Sequence, residues 1–198
     1  MKLIICEGGD RLGKSSLIKG ICKHYNYDNV NIRHFGKPPS GMSPSETLNF
    51  QMKCFNNEAN LLHETRKIFR NKDCNYFDNI IIWNRSHLGE YVYSQMFRNG
   101  NRDELIDRLL FWEKYYLCYN YSEDIEIFLI TLTASPEFFY SKEDGESFSQ
   151  SLEEKTKELQ LFKEIHNLST IKNKLLINIH LSKLLFLKIN KNYFLILK

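Results

Sequence analysis

The sequence predicts an α/β protein built on a parallel sheet wrapped by helices, and three observations predict it. Short apolar runs alternate along the chain with longer stretches of helical period, the pattern of repeated β-α-β units. One run, Asn79-Ile80-Ile81-Ile82-Trp83, is almost unbroken in its apolar character and reads as a central strand covered on both faces. The stretch from Gly8 to Ser15 fits G-x-x-x-x-G-K-[ST], the phosphate-binding loop, and it stands between an apolar strand and a helix start, where such a loop works.

Taken in order, residues 2–6 form the first strand, and the loop Gly8-Gly9-Asp10-Arg11-Leu12-Gly13-Lys14-Ser15-Ser16 leads into a helix over 16–25. A second strand spans 30–34 and is followed by Gly36-Lys37-Pro38-Pro39-Ser40-Gly41, a loop expected to move. Ser43-Pro44-Ser45-Glu46 opens a long helix over 46–70, by proline placement and an early acid. The strand at 79–83 comes next, then a helix over 103–119 and a strand over 125–132. Residues 141–147 are polar and aperiodic, a second mobile loop and a lid candidate extending to about residue 150. A helix over 152–166 places Leu152, Leu159 and Phe162 on its inner side and Glu153, Lys155 and Lys157 on its outer side. A strand at 175–179 completes a five-stranded sheet. The segment 181–188 is expected to be a terminal helix capping it.

At 198 residues, with 42% apolar and 26% charged residues, the chain suits one domain, 1–198, with one sizeable core. No apolar leader precedes the first strand and no run approaches membrane-spanning length. Five scattered cysteines without metal-ligand spacing read as reduced thiols of a cytoplasmic protein. The net charge of +3 is unevenly spread: up to Glu164 there are 21 Lys and Arg against 24 Asp and Glu, and beyond it six lysines and no acid. The body therefore has no basic excess for nucleic acid, no membrane is expected as a partner, and the basic segment 181–198 is set apart.

The loop's spacing has a chemical purpose. Gly8 and Gly13 let successive backbone N–H groups converge on phosphate oxygens, and the following helix start adds partial positive charge. Lys14 then reaches the terminal phosphates of a nucleoside triphosphate, and the Ser15 hydroxyl is placed to hold Mg²⁺. No Asn-Lys-x-Asp sequence is present, which disfavours a GTPase.

Glu7-Gly8-Gly9-Asp10-Arg11-Leu12-Gly13-Lys14-Ser15-Ser16 resembles the phosphate loop of thymidylate kinases, E-G-x-D-R-x-G-K-[ST]-[ST]. Asn84-Arg85-Ser86 is similar to that family's D-R-[YFH] motif at the same strand end. Leu88-Gly89-Glu90-Tyr91-Val92-Tyr93 looks like the version found in phage-type relatives. The resemblance covers roughly the first 180 residues. It implies the P-loop nucleoside monophosphate kinase fold, ATP as phosphoryl donor, Mg²⁺ as cofactor, small-molecule nucleotides as partners and dTMP as the first acceptor to test; relatives are often homodimers.

The roles it implies fall on named residues. Lys14 bridges the β- and γ-phosphates, and Arg11 touches the moving phosphoryl group, a role strengthened by the absence of arginine from residues 141–147. Asp10 accepts from the sugar 3′-hydroxyl, and Arg85 clamps the acceptor's 5′-phosphate with its planar fork of donors. Lys37 adds a cation near that phosphate. Gln51, Phe55 and Arg66, spaced near one face of the long helix, are candidates for the base, with Phe55 in the core as the alternative.

The family's acid before the arginine is Asn84 here. The amide can still hydrogen-bond and is a candidate to meet Mg²⁺ through water, but one negative charge is gone: either activity is reduced, or the metal is held mainly by Ser15 and the phosphates, or Glu7 or Glu90 compensates. Two rival functions remain open. A deoxynucleoside kinase needs a general base just after the second strand, whereas Arg33-His34-Phe35-Gly36-Lys37 offers cations and no carboxylate appears until Glu46. A degenerate, non-catalytic nucleotide-binding protein has Asn84 alone in its favour.

Overall fold

In the computed structural model, five parallel strands lie in the order β2-β3-β1-β4-β5. They are β1 (Lys2–Gly8), β2 (Val30–His34), β3 (Ile80–Asn84), β4 (Glu126–Thr133) and β5 (Asn173–Asn178). The structure describes residues 1–25, 28, 30–70, 80–119, 125–179, 185–189 and 192–196. The helices are α1 (Lys14–Tyr25), α2 (Pro44–Arg70), α3 (His87–Phe97), α4 (Arg102–Trp112), α5 (Pro136–Tyr140) and α6 (Leu152–Leu168), and α4 runs into a π-helical stretch, Glu113–Tyr119. The expected five-stranded parallel sheet flanked by helices is present. Among the described residues no helix is long and apolar enough to cross a membrane.

Alternation along β1 divides the core. Leu3 and Ile5 point to the face covered by α2, α3, α4 and α6, beside Trp83, Phe55, Trp112 and Phe162. Ile4 and Cys6 point to the opposite face with Ile82, Ile130 and the Leu17, Ile18 and Ile21 row of α1. β3 is buried from Ile80 to Trp83, as its apolar run predicts; Asn79, also assigned to it, lies outside the described residues.

One helix joins the expected ones and two expectations are corrected. Residues 87–97 form α3, whose N-cap is Ser86: its hydroxyl accepts from the Leu88 N–H. On α6, Lys155 is fully buried and Leu152 is exposed. The buried face includes Lys155, Glu158, Leu159, Phe162 and Ile165, so the core stripe carries two charged residues that hydropathy alone assigns outward. In the basic segment, Leu185–Ile189 (β6) pairs antiparallel with Asn192–Ile196 (β7) as a separate two-stranded sheet, not as a helix. Phe186, Ile189, Tyr193, Phe194 and Ile196 are aromatic and β-branched types that favour strands. Residues 181–184 of that expectation lie outside the described residues.

Candidate active site

The strand order turns at β1, so the loops leaving β1, β3 and β4 gather over the carboxyl edge of the sheet, where open parallel sheets bind ligands. The β1 loop carries the sequence motif. Gly8 has φ +127°, and a Cβ there would lie 2.5 Å from the Leu132 carbonyl oxygen of the neighbouring strand. Gly13 has φ +87°, and the space its Cβ would take is open, which leaves a cradle before α1. Lys14 is buried and curls back over the loop: its Nζ donates to the carbonyls of Gly8 at 2.6 Å and Gly9 at 2.7 Å. Burial lowers the Lys14 pKa, and Asp10 Oδ1 at 3.8 Å works against that shift. Ser15 and Ser16 are exposed at the first turn of α1, whose leading N–H groups have no intrahelical partner.

Two arginines converge here from distant parts of the chain. Arg11 and Arg85 both have φ 68°, the left-handed region that is costly for a non-glycine residue and clusters at functional sites. Arg85 is pinned through its N–H to the Cys6 carbonyl at 3.0 Å, and its guanidinium forms an ion pair with Asp10. Arg11 reaches across to the segment after β4, pairing with Asp144 and with Glu146 at 2.9 Å. Asp10 thus sits between Arg85 and Lys14. Leu12 is buried beneath the loop.

Asn84, at the end of β3, donates from Nδ2 to His34 Nδ1 at 2.9 Å, and its Oδ1 is buried without a hydrogen-bond partner. Glu7 is fully buried: its Oε1 accepts from the Ser86 hydroxyl at 2.5 Å and the Gly89 N–H at 3.3 Å, and burial raises its pKa. It ties the phosphate loop to the start of α3. Glu158 ties α6 to α3 and to the segment before α6, accepting from the Tyr93 hydroxyl at 2.9 Å and the Ser149 hydroxyl at 2.5 Å. A Cβ on Gly9 would meet Glu158 Oε1 at 3.0 Å and the Phe139 ring closer still, so the loop lies directly on this buried network.

The lid candidate is built around a buried lysine. Lys155 forms an ion pair with Glu143 and lies 4.3 Å from the Phe139 ring centre. Glu143 also accepts from the N–H groups of Gly145 at 2.9 Å and Asp144 at 3.2 Å, shaping the turn that presents Asp144 and Glu146 to Arg11. Burial pushes the Glu143 carboxyl up, but Lys155 and the Gly145 N–H outweigh it and bring the pKa down to about 2. A folded-state pKa below the unfolded value gives stability that is present above pH ~4.5 and lost as pH falls towards 2. Urea unfolding at pH 5 and pH 3 checks this: the wild type loses more stability over that interval than Glu143→Gln does. Equal losses would remove Glu143 from the account.

A pocket opens beside Arg85, lined by Phe35 and Lys37 from the β2 loop, Gln51 from α2, Glu90 and Tyr93 from α3, and Phe148. The Gln51 amide donates to the Gly36 carbonyl at 3.4 Å, and the Lys37 ammonium sits over the Phe148 ring, 3.9 Å from its centre. The structure separates the proposed base residues. Phe55 is buried and packs on Phe35, Trp112 and His87, and the half-buried Phe35 lines the pocket in its place. Arg66 is half-buried and lies about 22 Å along α2 from Gln51 at 1.5 Å per residue, so the two do not converge. Glu90 pairs with Arg98 at 2.6 Å. Sequence reasoning missed Arg98 and Phe148, and only their chain distance from the motifs explains why. A second cavity, of about 390 Å³, lies against Met1, Val30 and Ile80 at the opposite end of the sheet and includes no phosphate-loop residue.

This sheet order, with a phosphate loop after its central strand, defines a P-loop kinase fold. No family model matches the chain, and no curated protein matches it. Among solved structures it is similar to polyphosphate kinase 2 from Arthrobacter aurescens, with TM-score 0.54 and 10% identity over 88% of this chain. The chain spans 59% of that protein's length. It is also similar to deoxyadenosine kinase from M. mycoides (TM-score 0.49, 15% identity, 92% of this chain and 93% of that one). Thymidylate kinase from Candida albicans matches with TM-score 0.48 and 19% identity, over 89% of this chain and 83% of that one. At 10% identity the likeness to the polyphosphate kinase 2 structure is one of fold.

Proposed function

We propose that the chain is an ATP- and Mg²⁺-dependent kinase of deoxynucleoside monophosphates, with dTMP as its first acceptor. The observation that carries this reading is Arg85 beside the phosphate loop, opening onto a pocket that also holds Lys37. Cations at that position suit an acceptor that is already a phosphate dianion. Such an acceptor attacks with an oxygen that needs no general base, so the β2 loop, with its cations and no carboxylate, fits a monophosphate better than a nucleoside.

The residues present fit a bound triphosphate: the open cradle at Gly13, the curled Lys14 and the exposed Ser15 hydroxyl are the required donors and ligand. Gly8, Gly9, Asp10, Leu12 and Ser16 complete the cradle. Mg²⁺, when bound, neutralises phosphate charge. Ser15 would be its protein ligand, and Asn84, whose Oδ1 is buried without a partner, would accept a hydrogen bond from a water of its shell. Lys14 exchanges its carbonyl partners for β- and γ-phosphate oxygens. Arg11 leaves Asp144 and Glu146 to stabilise the charge on the transferring group, and Arg85 holds the acceptor phosphate while Asp10 turns to the sugar hydroxyl. The P–O bond to ADP breaks as the bond to the acceptor phosphate oxygen forms.

The test is ADP release from ATP and Mg²⁺ with dTMP, the other deoxynucleotides and thymidine as acceptors. Turnover with dTMP and none with thymidine is expected. Turnover with thymidine alone would establish a nucleoside kinase instead, and nucleotide binding without turnover on any acceptor would mark a degenerate site.

A further inference from the structure

The pocket beside Arg85 contains an ion pair that phosphate chemistry does not require. Glu90, only 6% exposed, accepts from Arg98 Nη2 at 2.6 Å, and Arg98 Nε is buried with no hydrogen-bond partner. Both residues line the pocket. A buried donor without an acceptor is costly, and a ligand that supplies one relieves the cost. Placement along α3 orders the two groups. Arg85 stands just before α3, Glu90 in its first turn and Arg98 at its C-cap, with the Arg98 side chain folding back to Glu90. Outward from the phosphate end, a ligand therefore meets the carboxylate first and Arg98 Nε beyond it.

A pyrimidine nucleotide presents its groups in the same direction. Beyond the sugar comes ring position N3, then the exocyclic group on C4. Thymine and uracil carry N–H and then a carbonyl; cytosine carries a bare ring nitrogen and then an amine. Only the first order matches an acceptor followed by a donor. Phe148, packed against Tyr93 and Phe97 of α3, supplies a stacking face. Phe148 is partly exposed, and its ring is covered by the Lys37 ammonium at 3.9 Å, a contact that a flat heterocycle can replace.

We infer that Glu90 and Arg98 read the base of the acceptor: Glu90 accepts from a ring N–H, Arg98 donates to the carbonyl beyond it, and Phe148 stacks on the ring, so that the pocket takes thymine or uracil and rejects cytosine. This rests on the reading that a nucleoside monophosphate occupies the pocket. The bland alternative is that the pair only ties the end of α3, where the Arg98 N–H already bonds to the Ser94 carbonyl at 3.0 Å.

Calorimetric titration of the full chain with dTMP, dUMP and dCMP, in the presence of Mg²⁺ and a non-hydrolysable ATP analogue, separates the two. The wild type binds dTMP and dUMP about tenfold or more tightly than dCMP, and Glu90→Gln lowers that preference by about 10- to 100-fold, the range for leaving a buried polar group unpaired. Arg98→Lys guards against a folding artefact, because it keeps a cation beside Glu90 while removing Nε. It narrows the preference with an unchanged melting temperature. Phe148→Leu weakens all three nucleotides alike. Equal wild-type affinity for dTMP and dCMP, or a wild-type preference retained in Arg98→Lys, would overturn the inference. Selective binding without ADP release would sink the kinase reading and leave this one standing. Turnover of dTMP and dCMP alike would do the reverse, and failure of every monophosphate to bind would end both.

Discussion

Lys14→Met is expected to lower kcat for ADP formation by about a thousandfold while the protein stays folded. The ammonium is the buried cation at the centre of the loop, and its two partners in the free protein are the carbonyls of Gly8 and Gly9. Those bonds fold the ammonium over the loop before any nucleotide arrives, and phosphate oxygens then replace them. Removing one preorganised charge from a water-poor site costs about 10²–10³ in rate for an ordinary donor, and a full charge lies at the upper end. Stability moves the other way or not at all, since burial already works against the Lys14 charge and methionine fills a similar volume. Steady-state ADP release and thermal unfolding of the same preparation check both halves. Retention of activity within tenfold would remove the loop from the chemistry.

Glu143→Gln is expected to destabilise the fold by roughly 3–5 kcal/mol, the loss seen when one partner of a buried pair is removed. Lys155 is fully buried, with Glu143 as its counter-charge and the Phe139 ring beneath. With the carboxylate gone, an ammonium is left in the interior against the Phe139 ring of α5. Adding Lys155→Met to Glu143→Gln removes that stranded charge and should recover most of the loss, because an uncharged pair of similar volume leaves no ion to desolvate. For a chain of this length the single variant melts about 6–20 °C lower, and the double variant lies within a few degrees of the wild type. If the single variant melts with the wild type, the pair is not what shapes the lid. The consequence reaches the site, because the turn held by Glu143 presents Asp144 and Glu146 to Arg11.

These two residues mark how differently the parts of the protein are written in the chain. Lys14 was legible because its chemistry is local: glycines, lysine and serine at set spacing make the loop from a dozen consecutive residues. The parallel sheet was legible for a similar reason, since Ile80 to Trp83 has one environment on both faces and declares it by composition. Lys155 was not legible. A lysine on a helix reads as solvated unless its partner is known, and Glu143 lies across a turn whose shape depends on the pair itself. Leu152, assigned inward, is exposed at the opening turn of α6 because that helix presents a charged stripe to the core. Phe55 was readable as either core or ligand contact. The Phe35 and Trp112 rings against it place it in the core.

The phosphate loop, the alternation of strand and helix and the cationic character after β2 can be read along the chain, because each depends on neighbours within a few residues. Only folding brings Arg11 to Asp144 and Glu146, Arg85 to Asp10, and Phe148 to Tyr93 and Phe97. These contacts join segments that are separate along the chain, and their partners are set by the order in which the strands assemble. A charge finds its counter-charge only after the backbone has closed around both, so neither period nor composition announces the pair.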